Sequence, residues 1–263
     1  MKNNSKNAFK AVLFDLDNTL VDFARMKERA CDAGIRAMRS HGLRMPFASA
    51  KRALFRLYCE HGIENKNIFQ IFLARELGRV DYKLLSNAIV AYRKQENDFL
   101  EPYAGTRETL ALLRKRGVAL AIVTDAPRLR AWNRLAAMGL TRYFDFVITI
   151  ADTKRRKPHA APFALALKKL SLEKTPERVL FVGDSPGRDM AGAKRAGMRT
   201  CLARYGMRGW RTIAWRSLKS SFVEARAASK LARSHSDFAN LAVRKRIRPD
   251  FVIDGFRELA KIV

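Results

Sequence analysis

Short apolar runs recur along this chain and alternate with amphipathic helical patterns. The first is residues 10–15 (KAVLFD). Others are 118–124 (VALAIVT), 144–150 (FDFVITI), 179–184 (VLFVGD) and 199–203 (RTCLA), with a weaker sixth at 250–253. Continuous apolar strands are buried on both faces, as in a parallel sheet. Helical patterns at 106–116, 127–138 and 187–196 are followed by Gly117, Gly139 and Gly197, each suited to end a helix in the left-handed conformation. With right-handed crossovers this predicts an α/β fold, a doubly wound Rossmann-like parallel sheet.

Residues 21–104 break the alternation. They read as helices at roughly 21–40, 46–60, 65–77 and 81–99, with no strand-like run. The expected organisation is a catalytic core of residues 1–20 and 105–263, and a smaller all-helical cap of residues 21–104 over the sheet's carboxyl edge. A second irregularity, residues 205–248, holds two helix-like stretches at 222–233 and 236–246, preceded by Trp210 and Trp215.

Composition narrows the class. Apolar residues make up 48%, enough for a packed core and against disorder as the main state. No apolar run approaches the ~18 residues that cross a bilayer, and the short run after Lys10 falls well below the length expected of a secretory h-region. Cys31, Cys59 and Cys201 form no CxxC pair, which argues against a zinc framework and fits a reducing, cytoplasmic setting. The 52 Lys and Arg against 25 Asp and Glu give a net charge of +27. The excess is densest in 205–248, with eleven basic residues against two acidic. Two readings of that segment stand: a solvated surface elaboration, or a nucleic-acid contact in which basic side chains neutralise phosphates and the tryptophans stack.

Ligand sites of open α/β sheets lie beyond the carboxyl ends of the strands. After the first strand comes Asp15-Leu16-Asp17, two carboxylates two residues apart. After the second comes Thr124-Asp125 ahead of a helix, a hydroxyl with backbone N–H groups that suit an anion. After the third comes a basic run ending at Lys157-Pro158, and after the fourth Asp184 and Asp189 within GDSPGRD. Carboxylates brought this close repel one another unless a cation sits among them. A hard divalent ion with oxygen ligands, Mg²⁺ above all, answers that conflict. Together with a lysine and helix N-termini it would hold a phosphoryl group, with one carboxylate attacking phosphorus and another moving protons.

These segments resemble the four motifs of the haloacid dehalogenase superfamily of phosphohydrolases: FDLDNTL at 14–20, VTDA at 123–126, KP at 157–158 and GDSPGRD at 183–189. The resemblance implies that Asp15 is the nucleophile and Asp17 the general acid and base. It implies phosphoryl binding by Thr124, by backbone amides including that of Asp125, and by Lys157. Mg²⁺ would be held by Asp15, the Asp17 carbonyl and Asp184, with Asp189 nearby. Asp17 favours a phosphatase over a dehalogenase, because a halide leaves without a proton. The expected function is hydrolysis of small phosphorylated metabolites, with a nucleic-acid-associated role or a polynucleotide-end phosphatase as the alternative. Asp125 departs from the family's usual Asn, and its side chain is expected to turn away from the phosphate. His41, His61, His159 and His235 form no ligand spacing and are read as non-catalytic.

Overall fold

The computed structural model describes residues 9–211 and 247–263. The predicted helical stretches at 222–233 and 236–246, and Trp215, lie outside the described residues. The described residues form two compact units, one built mainly from Phe23–Leu100 and the other from residues 9–22, 101–208 and 247–263.

The flanking unit contains six parallel strands. They are β1 (Ala11–Phe14), β2 (Ala119–Val123), β3 (Phe146–Ile148), β4 (Val179–Gly183), β5 (Arg199–Ala203) and β6 (Phe251–Ile253), in the order β3-β2-β1-β4-β5-β6. This is the doubly wound order, in which the chain reverses its direction of winding beside β1. Ala11 pairs with Ala119 on one side and Val179 on the other, so the carboxyl ends of β1, β2 and β4 are level. The acids that follow β1 and β4, and the Thr124-Asp125 pair after β2, therefore emerge along one edge.

Alternate residues of these strands face opposite layers. Leu13, Val123 and Phe181 pack with Phe163 and Ala166 on one face. On the other, Phe14 stacks on Phe256 with ring centroids 5.8 Å apart. The second unit consists of α1 (Phe23–Ser40), α2 (Phe47–His61), α3 (Ile68–Leu77) and α4 (Tyr82–Asp98), sharing a core that includes Ile35, Leu54, Phe72 and Ala88. Asp81 caps α4 by accepting the Leu84 N–H at 3.1 Å. Among the described residues no helix is long and apolar enough to cross a membrane.

The remaining helices of the sheet unit are α5 (Thr106–Lys115), α6 (Arg128–Ala137), α7 (Ile150–Thr153), α8 (Ala160–Leu170) and α9 (Ala191–Arg195). The helix expected at 187–196 is instead a wide π-type turn, Pro186–Met190, followed by α9. The Ser185 carbonyl accepts from both Asp189 N–H (2.9 Å) and Met190 N–H (3.2 Å), so the turn absorbs one residue more than an α-helical turn holds. His159 caps α8, its Nδ1 accepting from Ala161 N–H at 3.1 Å.

Asp250 fastens β6 to β5. Its Oδ2 accepts from the Thr200 N–H at 2.8 Å and hydroxyl at 2.7 Å. Burial opposes its ionisation, but the Thr200 hydrogen bonds and the nearby Lys194 and Arg199 outweigh it and hold the carboxyl below its ordinary value. Such a group stabilises the fold above its unfolded pKa, and that contribution is lost as pH falls through the folded one. Asp250→Ala is expected to cost about 1–2 kcal/mol at neutral pH. Thermal unfolding should show the gap from wild type narrowing below about pH 4.

Candidate active site

Asp15 follows β1, and the chain then turns sharply. Leu16 N–H donates to Asp15 Oδ1 at 2.8 Å, Leu20 N–H to the Leu16 carbonyl at 2.9 Å, and Asn18 N–H to the Val21 carbonyl at 2.7 Å. Asn18 has φ 59°, a left-handed conformation that Asn tolerates better than most residues. Asp15 and Asp17 leave this turn toward different partners.

Asp15 meets Lys157. The Lys157 ammonium lies 2.8 Å from Asp15 Oδ1 and 2.7 Å from Asp189 Oδ1, and it donates to the Val123 carbonyl at 2.9 Å. Its side chain is 1% exposed, so the whole pairing is made out of water. The segment that delivers it starts at Thr149, whose N–H and hydroxyl both donate to Asp152 Oδ2 at 2.8 and 2.7 Å at the start of α7. From the other side, the wide turn after Asp184 brings Asp189 back, and its Oδ2 accepts the Ser185 N–H at 3.0 Å. Gly183 is needed for this approach, since a Cβ there would sit 2.5 Å from Asp189 Oδ2.

Carboxylate oxygens of Asp15, Asp184 and Asp189 lie within 4.8 Å of one another, all three side chains buried. Burial pushes the Asp15 carboxyl well above its ordinary value; Lys157 opposes this, while Asp189 and Asp184 reinforce it. Burial also works against the Lys157 ammonium, yet Asp15 and Asp189 outweigh it and raise its pKa. Three buried carboxylates beside the Lys157 ammonium are short of positive charge even with the Arg188 guanidinium acting on them, and their donors are all hard oxygens. That donor set fits an oxygen-seeking divalent cation.

The carboxylate of Asp17 stands apart from this cluster. It is held by Arg134 of α6, whose Nη1 donates to its two oxygens at 3.0 and 2.8 Å. Thr124 follows β2 and is buried; its N–H donates to the Ile148 carbonyl at 2.9 Å, and its hydroxyl oxygen accepts from Ala126 N–H at 3.2 Å. The Asp125 carboxylate accepts the Lys157 N–H at 2.9 Å and lies 3.5 Å from Arg188 Nη1. Burial disfavours the Arg188 cation, but Asp189, Asp15, Asp184 and Asp125 together raise its pKa. Arg188 is thus shared between Asp125 and the three clustered acids.

Of the residues singled out in the sequence, Asp15, Lys157, Asp184 and Asp189 come together directly. Asp125 joins them through Lys157 and Arg188, and Asp17 is drawn to Arg134. Four further residues contribute. Arg188 was visible inside GDSPGRD, but its partner was not. Arg134 looks like one of many helix arginines. Tyr205 and Gly206 were grouped with the basic segment, yet they pack on the turn after β1. Tyr205 hydroxyl donates to the Thr19 carbonyl at 2.8 Å, and its ring meets Tyr103 edge-on at 4.7 Å.

A model of the haloacid dehalogenase-like hydrolases matches residues 9–197. The chain belongs to this family. Among curated family members, glyceraldehyde 3-phosphate phosphatase of Pyrococcus furiosus is 32% identical over 197 residues, covering 75% of this chain and 81% of its own. The enzyme of that name from Methanopyrus kandleri is 33% identical, covering 75% and 84%. Phosphoglycolate phosphatase of Salmonella typhi is 29% identical, covering 77% and 84%. Among solved structures, magnesium-bound YfnB of Bacillus subtilis shares the fold over 97% of this chain and 98% of its own, with a TM-score of 0.59 at 20% identity.

The support under the Asp15–Thr19 turn is open to test. A Cβ at Gly206 would lie 1.7 Å from the Asn18 carbonyl oxygen and 3.0 Å from Asp184 Cβ, whereas one at Gly187 would meet nothing within 4 Å. Gly206→Ala is expected to destabilise the fold by about 1–3 kcal/mol in thermal unfolding. Gly187→Ala should stay within about 1 kcal/mol of wild type.

Proposed function

We propose that this chain is a Mg²⁺-dependent phosphatase that hydrolyses small phosphate monoesters through an aspartyl-phosphate on Asp15. The carrying observation is the buried Asp15–Asp184–Asp189 cluster, with donor oxygens within 4.8 Å and Lys157 salt-bridged to Asp15 and Asp189. The relatives' names, which concern three- and two-carbon phosphates, support the same reading.

In the first half-reaction Asp15 Oδ attacks phosphorus and forms the new P–O bond. The ester P–O bond breaks toward the leaving oxygen, which takes a proton from the Asp17 carboxyl and departs as an alcohol. In the second half Asp17, now a carboxylate, takes a proton from water as that water's oxygen attacks phosphorus. The bond to Asp15 breaks, phosphate leaves, and both residues are restored. Thr124 and the amides after it orient the phosphoryl oxygens, and Lys157 holds Asp15 in place while offsetting charge on the transferred group. Asp15, Asp184, Asp189 and the Asp17 carbonyl would hold Mg²⁺, which supplies charge neutralisation at the phosphoryl oxygens. We assign the choice of substrate to the helical unit, Phe23–Leu100, acting as the cap, and the place of action to the cytoplasm.

Assayed with p-nitrophenyl phosphate and a panel of triose, glycolate and sugar phosphates, the wild-type protein should turn over only with Mg²⁺ present. Asp15→Asn should fall to background, and Asp17→Asn should lose about 10²–10⁴-fold in kcat. Undiminished hydrolysis by Asp15→Asn removes the proposal. Mg²⁺ at a hundred times its Kd should add about 2.7 kcal/mol to wild-type stability. In Asp184→Asn that increment should shrink or vanish.

A further inference from the structure

Three exposed cations, Lys154, Arg155 and Arg156, immediately precede the buried Lys157. The run lies along the sheet edge that carries the site. It leaves that edge after β3, where the Ile148 carbonyl accepts the Thr124 N–H at 2.9 Å, and returns where the Lys157 N–H donates to Asp125 Oδ1 at 2.9 Å. Between these points the backbone is held locally. Lys154 turns left-handed at φ 52°, and its N–H donates to the Ile150 carbonyl at 2.8 Å. The Thr153 hydroxyl donates to the Arg155 carbonyl at 3.0 Å, and the His159 N–H to the Arg156 carbonyl at 2.9 Å. The acids nearest in the chain and in space are already engaged. Asp152 accepts from Thr149 and is salt-bridged to Arg128 at 2.6 Å, and Asp125 accepts from Lys157 and faces Arg188. None of the three basic side chains has a hydrogen bond or ion pair among the described residues. Elsewhere on this unit Arg107, Arg114, Arg199 and Arg204 each pair with an acid. Successive Cα atoms are 3.8 Å apart, so the Lys154 backbone lies at most about 11 Å from that of Lys157. That is close to one Debye length, about 10 Å at 0.1 M salt.

We propose that Lys154, Arg155 and Arg156 form an electrostatic guide beside the site. It draws in anionic esters and favours those that carry a second anionic group, a carboxylate or a further phosphate, besides the phosphate to be cleaved. This rests on the phosphatase reading above. A field of this kind acts on total charge rather than on shape. Its benefit therefore rises with the charge of the substrate, enters at capture rather than in the bond-breaking steps, and fades as salt screens it.

The test combines Lys154→Gln, Arg155→Gln and Arg156→Gln in one protein. A control combines Lys115→Gln, Lys168→Gln and Lys174→Gln, removing three exposed cations that precede β2 and β4 and so lie toward the amino edge of the sheet. Values of kcat and KM are measured with Mg²⁺ on p-nitrophenyl phosphate, phosphoglycolate and a sugar bisphosphate, at low salt (about 20 mM) and high salt (about 500 mM). At low salt the first variant should lose about fourfold in kcat/KM on p-nitrophenyl phosphate and about tenfold on the bisphosphate, with phosphoglycolate between them and kcat unchanged. At high salt it should converge on wild type. The control should keep most of the wild-type kcat/KM under both conditions. Unchanged kcat/KM at low salt, a loss that persists at high salt, or an equal loss in the control overturns the guide. Activity persisting in Asp15→Asn overturns the catalytic reading and leaves the salt comparison standing, so the two failures are distinguishable.

Discussion

Lys157 Nζ lies 2.8 Å from Asp15 and 2.7 Å from Asp189, and its third contact is the Val123 carbonyl at the end of β2. One buried ammonium thereby ties together the residues that follow β1 and β4 and the last residue of β2. Its removal would leave two buried carboxylates uncompensated, a change that costs about 3–5 kcal/mol in comparable buried pairs. The geometry that permits the contact is set by the level register of β1 with β2 and β4 and by the wide turn that returns Asp189. Gly183 admits that return because it has no side chain to obstruct the Asp189 carboxylate.

Charge around this centre is shared rather than paired off. Asp17 is matched by Arg134, whereas Lys157 and Arg188 together face Asp15, Asp184, Asp189 and Asp125, four acids against two cations. A divalent ion fits that deficit better than further arginines, because it approaches several oxygens at once. The net charge of +27 says little about any of this, since the acids that form the site are a small minority of the chain.

Much of the sheet was legible because buried parallel strands are written as uninterrupted apolar runs such as 10–15 and 179–184, and no long-range information is needed to see them. The strand-end acids were legible for the same reason: topology places the carboxyl ends of parallel strands on one edge, so Asp15 and Asp184 had to be neighbours. Pairings that depend on side-chain reach were not legible. Nothing local distinguishes Arg134 from Arg130 until α6 is laid against the turn after β1. The wide turn at Pro186–Met190 was missed because a five-residue advance from Asp184 to Asp189 looks helical, whereas the side chain of Asp189 has to point back at Ser185. Tyr205 and Gly206 were obscured by the basic composition that follows them, although their packing is with Thr19 and Asn18.

The central claim is that Asp15 carries the phosphoryl group. Its most direct test is chemical trapping: acid quench during turnover, borohydride reduction of the acyl phosphate, and mass mapping of the resulting peptides. The account predicts conversion of Asp15 to homoserine, dependent on both substrate and Mg²⁺. Reduction at another carboxylate, or none during confirmed turnover, would contradict it.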